Sequence, residues 1–344
     1  MNFKSDNEAP AHPAVVQALV EANEGFATAY ANDRYSKLLN ERFSALFETD
    51  CHVLPVATGT AANCVSLAEI SPPWGAVICH RQAHIQNDEG GAPEFYTHGA
   101  KLIALDGDNA RLDAAEVAAV VDSSGVHGVH NVKPSVVSIT QATECGTVYR
   151  PEEIGGLAEV AHDRGLFLHM DGARFANAVS WLGCRPAEVT WQAGVDVLSF
   201  GATKNGAITA EAIVVFGRPD WLEGMERRRK RGGHLLSKMR YVSAQLLAML
   251  EDDLWLKLAD QANQRAAELA RGIEQSPDTA LEWPVEANEV FMRAAPEKLA
   301  KLKSLGFEFH IWPGYTDLAR LVCSWSTTQQ AVTDLLQALN RAPD

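Results

Sequence analysis

The sequence predicts an α/β protein in which a mainly parallel sheet of seven strands is followed by a smaller α+β unit. Short apolar runs alternate with segments of helical periodicity up to Ser243, and beyond that residue helices precede short strands. Strands that alternate with helices along a chain build parallel sheets covered by helices. The seven predicted strands are 51–56, 74–79, 101–105, 135–140, 166–170, 195–200 and 211–216.

The helices follow from apolar residues that recur every three or four positions. Val15, Ala18, Leu19 and Ala22 form the first such face. Further helices are predicted at 38–47, 60–70, 112–121, 246–258 and 261–273, and short C-terminal strands near 289–293, 307–311 and 319–324. We therefore predict an N-terminal arm and helix over 1–45, a large domain over 46–245 and a small C-terminal domain over 246–344.

Composition and charge restrict the partners of the protein. The 344 residues are 47% hydrophobic, which is enough for a substantial core, and the formal charge of -14 argues against nucleic acid or an anionic membrane. The N-terminus has no apolar signal core, and we find no apolar run of about 18 residues. The six cysteines are scattered, as in a reduced cytoplasmic protein. We expect a cytoplasmic protein that acts on a small molecule.

The most informative segment is the turn at 199–206, which contains Lys204. It follows a predicted buried strand, where α/β enzymes place their chemistry, and a desolvated lysine amine can form a Schiff base with a carbonyl. Asp171 directly follows the preceding predicted strand, 166–170. A lysine for an aldehyde and a carboxylate for a pyridinium nitrogen are the two groups that a pyridoxal phosphate site needs. The alternatives are a solvated surface lysine and an aspartate that caps the turn at Gly172.

Other segments carry weaker signals. The turn at 58–60 joins a strand to a helix, and its backbone N–H groups suit a phosphate, although a helix capped by threonine with glycine in the turn is common without one. His84 is either a site residue or a satisfied core histidine. His80 and His84, with Cys79, have a spacing that would suit a metal site on a helix, but the preceding segment is predicted as strand and loop, so we expect no metal. The basic run at 227–231 is either a solvated helix face, an anion site or a subunit contact.

Together these segments resemble the threonine aldolases of the aspartate-aminotransferase-like pyridoxal phosphate fold, especially the low-specificity L-threonine aldolase branch. The resemblance extends over nearly the whole chain. The Asp-Gly-Ala-Arg segment at 171–174 and the Glu-Gly-Gly segment at 89–91 are its more specific parts. The segments that carry it are 5–6, 30–33, 58–60, 84–94, 169–174, 203–204, 237–240 and 320–322.

The resemblance implies pyridoxal 5'-phosphate in the large domain, with Lys204 as its Schiff-base lysine, Asp171 at the pyridinium nitrogen and His84 stacked on the ring. It implies homotetramers, as dimers of dimers, with sites at subunit interfaces. The other implied cofactor-binding residues are Thr58, Gly59, Thr60, Arg174, Thr203 and, in a neighbouring subunit's phosphate site, Lys230. The implied substrate-binding residues are Ser5, Tyr30, Arg174 and Arg320, with Arg320 at a strand end and bound to the carboxylate.

The implied activity is retro-aldol cleavage of L-threonine, L-allo-threonine and related β-hydroxy-α-amino acids to glycine and an aldehyde. A phenylserine-preferring aldolase, a β-eliminating lyase or an aminotransferase would use the same lysine and aspartate. His84, Glu89, Glu144 or an ordered water could act as the base. Glu144 stands where the family often has a histidine. It therefore either faces the β-hydroxyl group of the substrate or caps the turn at Gly146.

Overall fold

The computed structural model describes residues 1–341, and a seven-stranded sheet forms its centre. The strand order is β1-β7-β6-β5-β4-β2-β3, and only β7 runs against its neighbours. The predicted α/β fold class is confirmed, and each strand begins and ends within two residues of its predicted bounds. The strands are β1 (Cys51–Val56), β2 (Gly75–His80), β3 (Lys101–Leu105), β4 (Lys133–Thr140), β5 (Phe167–Gly172), β6 (Val197–Gly201) and β7 (Glu211–Phe216).

The apolar runs are continuous because the sheet is buried on both faces. Along β7, Val214 belongs to one large apolar core, while Ile213 and Val215 belong to the core on the opposite face. Successive side chains of a strand point to opposite faces, so a doubly covered strand needs apolar residues at every position. Helices pack against both faces of the sheet. In such α/β folds, ligands bind at the carboxyl ends of the parallel strands, so we expect the site there.

Helices occupy most of the remaining chain. None in residues 1–341 is long and apolar enough to cross a membrane. They are α1 (Pro13–Ala22), α2 (Arg34–Phe47), α3 (Gly59–Ile70), α4 (His84–Asn87), α5 (Ala92–Tyr96), α6 (Ala114–Ser123), α7 (Pro151–Asp163), α8 (Phe175–Leu182), α9 (Leu222–Arg231), α10 (Arg240–Leu250), α11 (Leu254–Glu274), α12 (Pro296–Ser304) and α13 (Gln329–Asn340).

The predicted break between the two long helices near residue 260 is wrong. The helix α10 ends at Leu250 and α11 begins at Leu254, so the break falls at 251–253. Asp252 and Asp253 there have positive φ values of 50° and 54°. Aspartate tolerates this left-handed conformation better than most residues, because its short side chain can bond locally. The apolar pattern that guided the prediction does not report such a turn.

A second, antiparallel sheet contains β8 (Thr279–Leu281), β9 (Glu289–Ala294), β10 (His310–Ile311) and β11 (Leu318–Val322), in the order β10-β11-β9-β8. The strand β8 was not predicted. The strand expected over 307–311 is shorter and comprises His310–Ile311, while Glu308 forms an isolated bridge to Asn2 of the N-terminal segment. The predicted domain over 246–344 extends past the described residues, and the domain boundaries stay a prediction.

Candidate active site

A cavity of about 340 Å³ lies where β1, β4, β5 and β6 end. Parallel strands deliver the residues that follow them to one edge of the sheet, so segments far apart in sequence meet there. This volume suits a small ligand. The lining residues are Asn7, Ala57, Thr58, Gly59, Thr60, Asn63, His84, Glu89, Thr140, Ala142, Glu144, Asp171, Ala173, Arg174, Thr203, Lys204, Thr209 and Glu211.

Lys204 lies in a single helical turn, Thr203–Asn205, directly after β6. Hydrogen bonds hold both neighbours of the lysine: Ala210 N donates to Thr203 Oγ1 at 3.1 Å, and Asn205 Nδ2 donates to the Trp255 carbonyl at 2.7 Å. The lysine itself is half-buried and lines the cavity. The alternative of a solvated surface lysine is therefore wrong, and the backbone that carries the amine is fixed.

Asp171 is the last residue but one of β5, and both of its carboxylate oxygens accept hydrogen bonds. Its Oδ1 accepts from Ala173 N at 3.0 Å, which is the turn-capping role that sequence allowed, and its Oδ2 accepts from Asn63 Nδ2 at 2.8 Å. The same Asn63 nitrogen donates to Glu89 Oε1 at 2.9 Å. Sequence reasoning missed Asn63, although an asparagine among the buried, mainly apolar residues of helix α3 is a signal for such a role.

His84 is held by Glu89, which is fully buried. His84 Nδ1 donates to Glu89 Oε1 at 2.9 Å, and this hydrogen bond raises the pKa of His84 above its usual value. The ring orientation is thereby fixed, and Nε2 is the nitrogen left for other partners. Since Glu89 Oε1 binds both His84 and Asn63, its main effect in this structure is to position the histidine and, through Asn63, the aspartate.

Glu144 does not cap the turn at Gly146, so that alternative is wrong. Gly146 N bonds to the Thr143 carbonyl, whereas Glu144 Oε1 accepts from His84 N and Thr140 Oγ1, each at 2.9 Å. Glu144 Oε2 is buried and has no hydrogen-bond partner within residues 1–341. Burial raises the pKa of Glu144 to about 7, and the charge of Asp171 acts in the same direction.

Two arginines and two carboxylates form a buried charged cluster beside the cavity. Arg174 Nε and Nη2 donate to Asp6 at 2.8 and 3.0 Å, and Arg174 Nη1 lies 3.3 Å from Glu289. Burial by itself would raise the pKa of Asp6, but the Arg174 guanidinium outweighs it and the net shift is downward. Arg320 Nη1 lies 3.7 Å from the other oxygen of Glu289. The two arginines therefore share one carboxylate.

The prediction that Arg320 lies at the end of a strand is wrong. Arg320 lies in the middle of β11, opposite Phe291 and His310. It does not line the cavity itself, and it connects to the lining residue Arg174 through Glu289. Its Nε atom is buried without a hydrogen-bond partner in the described chain. An unpaired buried guanidinium nitrogen is a donor that a bound carboxylate could satisfy.

Three other predicted residues lie outside the cavity of their own chain. Ser5 caps a short helical turn, where its Oγ accepts from Asn7 N at 3.2 Å. Tyr30 is exposed, and Lys230 Nζ stands 4.3 Å above its ring. Lys230 is exposed near the end of α9. The structure therefore pairs Tyr30 with Lys230 instead of bringing either residue to Lys204.

The turn at 58–60 begins helix α3. Thr58 Oγ1 accepts from Ala61 N at 3.1 Å, so the threonine caps the helix as the alternative reading required. Gly59 and Thr60 nevertheless line the cavity, and no heavy atom lies within 4 Å of a Cβ placed on Gly59. The first N–H groups of a helix have no partner inside it. The turn thus combines a helix N-terminus with open space, as a phosphate requires.

Glu211 is the carboxylate that sequence reasoning missed. It opens β7, is almost fully buried, and accepts from Thr203 N at 3.3 Å. Burial raises its pKa to about 7, although the hydrogen bond from Thr203 and the charge of Lys204 oppose the shift. The signal was an acidic residue at the start of an otherwise apolar strand, seven residues after the lysine.

These residues fit pyridoxal phosphate. A half-buried lysine, an oriented carboxylate, a fixed imidazole and an open helix N-terminus line one cavity of suitable volume. The fold and the site together define a pyridoxal phosphate enzyme of fold type I.

Comparison with known proteins narrows the class. Residues 2–296 match the family model described as beta-eliminating lyase. The chain is 43% identical to the low specificity L-threonine aldolase of Pseudomonas aeruginosa, over 97% of this chain and 95% of the relative, and 42% identical to that of a Pseudomonas strain over the same shares. The Leishmania major threonine aldolase structure is 26% identical, with a TM-score of 0.91 over 99% of this chain and 98% of that one. The chain belongs to the threonine aldolase family, as the sequence segments predicted.

Proposed function

We propose that this protein is a carbon-carbon lyase that cleaves L-threonine, L-allo-threonine and related β-hydroxy-α-amino acids to glycine and an aldehyde. The observation that carries the proposal is the convergence of Lys204, Asp171 and His84 on one cavity. The substrate class is supported by the relatives at 43% and 42% identity, which are low specificity L-threonine aldolases.

Lys204 would hold the cofactor and Asp171 would keep a proton at its ring nitrogen, since a carboxylate beside a cation stabilises both charges. When bound, pyridoxal phosphate supplies an electron sink for the bond broken at the substrate Cα. Asn63 and the backbone N–H of Ala173 hold the Asp171 carboxylate in one orientation. Gly59 and Thr60 would bind the phosphate at the start of α3.

The base that removes the β-hydroxyl proton is proposed to be Glu144. His84 is a weaker candidate, because its hydrogen bond to Glu89 raises its pKa and keeps a proton on the ring to higher pH. Glu144 has an unpartnered carboxylate oxygen, within the described chain, and a pKa of about 7. A base works best when its pKa lies near the working pH.

Product analysis tests the proposed reaction. Purified protein loaded with pyridoxal phosphate is incubated with L-threonine, L-allo-threonine and phenylserine, and glycine and the released aldehyde are quantified. We expect equal amounts of glycine and acetaldehyde from the first two substrates. Formation of 2-oxobutyrate and ammonia from threonine would instead indicate a β-eliminating lyase, and amino transfer to a keto acid would indicate an aminotransferase.

Arg320 is proposed to bind the substrate carboxylate, because its Nε is buried and unpartnered in residues 1–341 whereas the guanidinium nitrogens of Arg174 already face Asp6 and Glu289. Arg320→Lys keeps the charge but loses the planar fork. We expect KM for threonine to rise about tenfold to a hundredfold, the range of a charged hydrogen bond, with a smaller loss of kcat. Steady-state kinetics measure both.

The matched control is Arg293→Lys, which makes the same exchange in the same sheet at a residue bound to Glu282 and Asp317. Its KM should stay at the wild-type value. An unchanged KM in Arg320→Lys would show that another group, with Arg174 the first candidate, binds the carboxylate.

We also propose a homotetramer, arranged as a dimer of dimers, in which α9 of one subunit supplies cations to the phosphate site of another. Four acidic side chains line the cavity, Glu89, Glu144, Asp171 and Glu211, together with the basic side chains Lys204 and Arg174. A dianionic phosphate adds further negative charge to this lining, which cations from another subunit would offset. Lys230 and Arg231 are exposed at the end of α9, away from the cavity of their own chain.

The double variant Lys230→Ala, Arg231→Ala is expected to weaken cofactor binding about tenfold or more, because each lost charge–phosphate contact removes a charge-assisted hydrogen bond. Fluorescence titration of the cofactor-free protein measures the affinity, and light scattering measures the mass. Lys257→Ala, at an exposed position of α11, is the control. A fully active monomer would refute the assembly, and an unchanged affinity would refute the role of α9.

We also propose that the protein is located in the cytoplasm. The six cysteines are unpaired thiols, and all except Cys184 are buried. Oxidising compartments favour disulfides, whereas the cytoplasm keeps thiols reduced. Cell fractionation with an antibody to the protein would test this location directly.

A further inference from the structure

Four consecutive residues, 286–289, join the two parts of the cavity that the proposed reaction uses. Three of them are almost fully buried, and none of them lines the cavity. At one end the segment contacts the loop at 143–149, which carries the proposed base Glu144. At the other end it contacts Arg174 and Arg320, the arginines of the buried charged cluster. The segment therefore connects the base with the carboxylate-binding end of the site.

Glu286 holds the loop through both its side chain and its backbone. Its Oε2 accepts from Val148 N at 2.8 Å, and its carboxylate pairs with Arg150, directly after the loop, through hydrogen bonds of 2.8 and 3.0 Å. Glu286 N also donates to the Gly146 carbonyl at 3.1 Å. Because Val148 is fully buried, removal of the carboxylate would leave its N–H unpaired. These bonds fix the loop just after Glu144.

Close packing makes the same connection. A Cβ placed on Gly146 would lie 2.9 Å from the Glu289 carbonyl oxygen and 3.2 Å from Glu289 Cβ, so glycine lets the loop approach the segment closely. Gly146 also has a φ of 73°, which other residues rarely adopt. Ala287 belongs to a small apolar cluster together with Val148 of the loop. The loop therefore packs directly against the segment, without room for a larger side chain at Gly146.

The other end of the segment is fixed independently. Asn288 Nδ2 donates to Asp6 Oδ2 at 3.0 Å and to the Cys323 carbonyl at 2.7 Å, and Cys323 N donates back to the Asn288 carbonyl at 2.9 Å. Glu289 lies between the two arginines. Because none of these contacts involves Glu286, removal of its side chain should release the loop and leave the arginines in place.

We propose that Glu286 is a positioning residue that acts through Glu144. It fixes the base relative to the arginines at the carboxylate-binding end, and thereby sets the preference between threonine and allo-threonine. This inference rests on the proposed cleavage reaction and on Glu144 as its base. The two substrates differ only in configuration at Cβ, so their hydroxyl groups point in different directions when the carboxylate is held in one place. A displaced base therefore changes the two rates unequally.

The first test compares Glu286→Ala with the wild type in steady-state kinetics on both substrates. We expect kcat for threonine to fall about tenfold or more, since a misplacement of about 1 Å can cost about a hundredfold, and the threonine to allo-threonine ratio of kcat/KM to change about threefold or more. Glycine affinity and exchange of its Cα proton in heavy water should stay at wild-type values, because neither needs a β-hydroxyl group. Glu286→Gln keeps an acceptor for Val148 N and should restore much of both losses.

Glu282→Ala is the matched control. Glu282 also pairs with an arginine through two hydrogen bonds, but its partner is Arg293 of β9 and not a residue beside the loop. Its kcat and its substrate ratio should match those of the wild type. If Glu282→Ala changes the ratio as Glu286→Ala does, the effect is not specific to the loop and the proposal is overturned.

Gly146→Ala tests the same contact from the side of the loop, so a folding failure of Glu286→Ala still leaves a decisive measurement. The added Cβ should push the loop away from Glu289 and change the substrate ratio. Gly194→Ala is its control, since Gly194 has a φ of 91° and a Cβ there would collide with Ala158, outside the cavity. It should lower the melting temperature without changing the ratio.

A double-mutant cycle shows whether Glu286 acts through Glu144. In a Glu144→Gln background, Glu286→Ala should have little further effect on kcat or on the ratio, because the base that it positions is already lost. A full additional loss in that background would overturn the proposal. So would wild-type kinetics in both folded variants, Glu286→Ala and Gly146→Ala, or an equal loss of glycine affinity and cleavage, which marks a structural role.

The wild type separates this inference from the proposed function. Aldehyde release from threonine by the wild type, together with an unchanged ratio in the variants, refutes the role of Glu286 alone. Failure of the wild type to release aldehyde from either substrate refutes the proposed function, and with it the basis of the inference.

Discussion

Lys204→Ala is expected to abolish aldehyde release from threonine while leaving the fold intact. The amine is the group that would bond to the cofactor, and no other lysine lines the cavity in the described part of the chain. The fold should persist because the lysine turn is held by its neighbours, through Thr203 to Ala210 and Asn205 to Trp255, and not by the lysine side chain. Aldehyde-release assays and circular dichroism measure the two outcomes.

Chemical mapping gives the assignment independently of activity. Borohydride reduction of the loaded wild type should leave the pyridoxyl group on the peptide that contains Lys204, and the variant should carry none. Lys238→Ala, at an exposed position, is the control and should keep both label and turnover. A label on Lys230 or Lys238 would contradict the assignment.

The sheet and the lysine turn could be predicted because their signals are local. Strands that are buried on both faces of the sheet require apolar residues at successive positions, as in β7, and the turn after β6 follows directly from where that strand ends. The three-residue strand β8 has no such signal, since half-buried residues in so short a run show no period. The helix break at 251–253 depends on two left-handed aspartates, which apolar spacing does not register.

The polar contacts of the site could not be predicted, since they join residues far apart in sequence. Asn63 bonds to Asp171 across 108 positions, and Arg174 bonds to Asp6 across 168. The resemblance to the family identified Asp171 and Arg174 as site residues, but it did not identify the hydrogen bonds that orient them. Their orientation follows from buried donors and acceptors that must find partners once the chain has folded.

Glu144→Gln is the second change with a large expected effect. The variant keeps the size of the side chain and its acceptor for His84 N and Thr140 Oγ1, but it loses the basic oxygen. We expect kcat for threonine cleavage to fall about a hundredfold or more, the contribution of a positioned general base. Because the pKa of Glu144 is about 7, the wild-type rate should rise with pH through neutrality as the carboxyl loses its proton. The variant should lack this rise.

Hydrogen exchange at glycine separates a base from a structural residue. The exchange of a Cα proton of glycine in heavy water requires the cofactor and Lys204 but no β-hydroxyl group, so Glu144→Gln should retain it while cleavage falls. Glu94→Gln is the matched control, since Glu94 also has a buried carboxylate oxygen without a partner in residues 1–341 but lies outside the cavity. The ratio of threonine to allo-threonine cleavage should change only in Glu144→Gln. If rate, ratio and pH profile all match the wild type, Glu144 is structural, and His84 or an ordered water removes the proton.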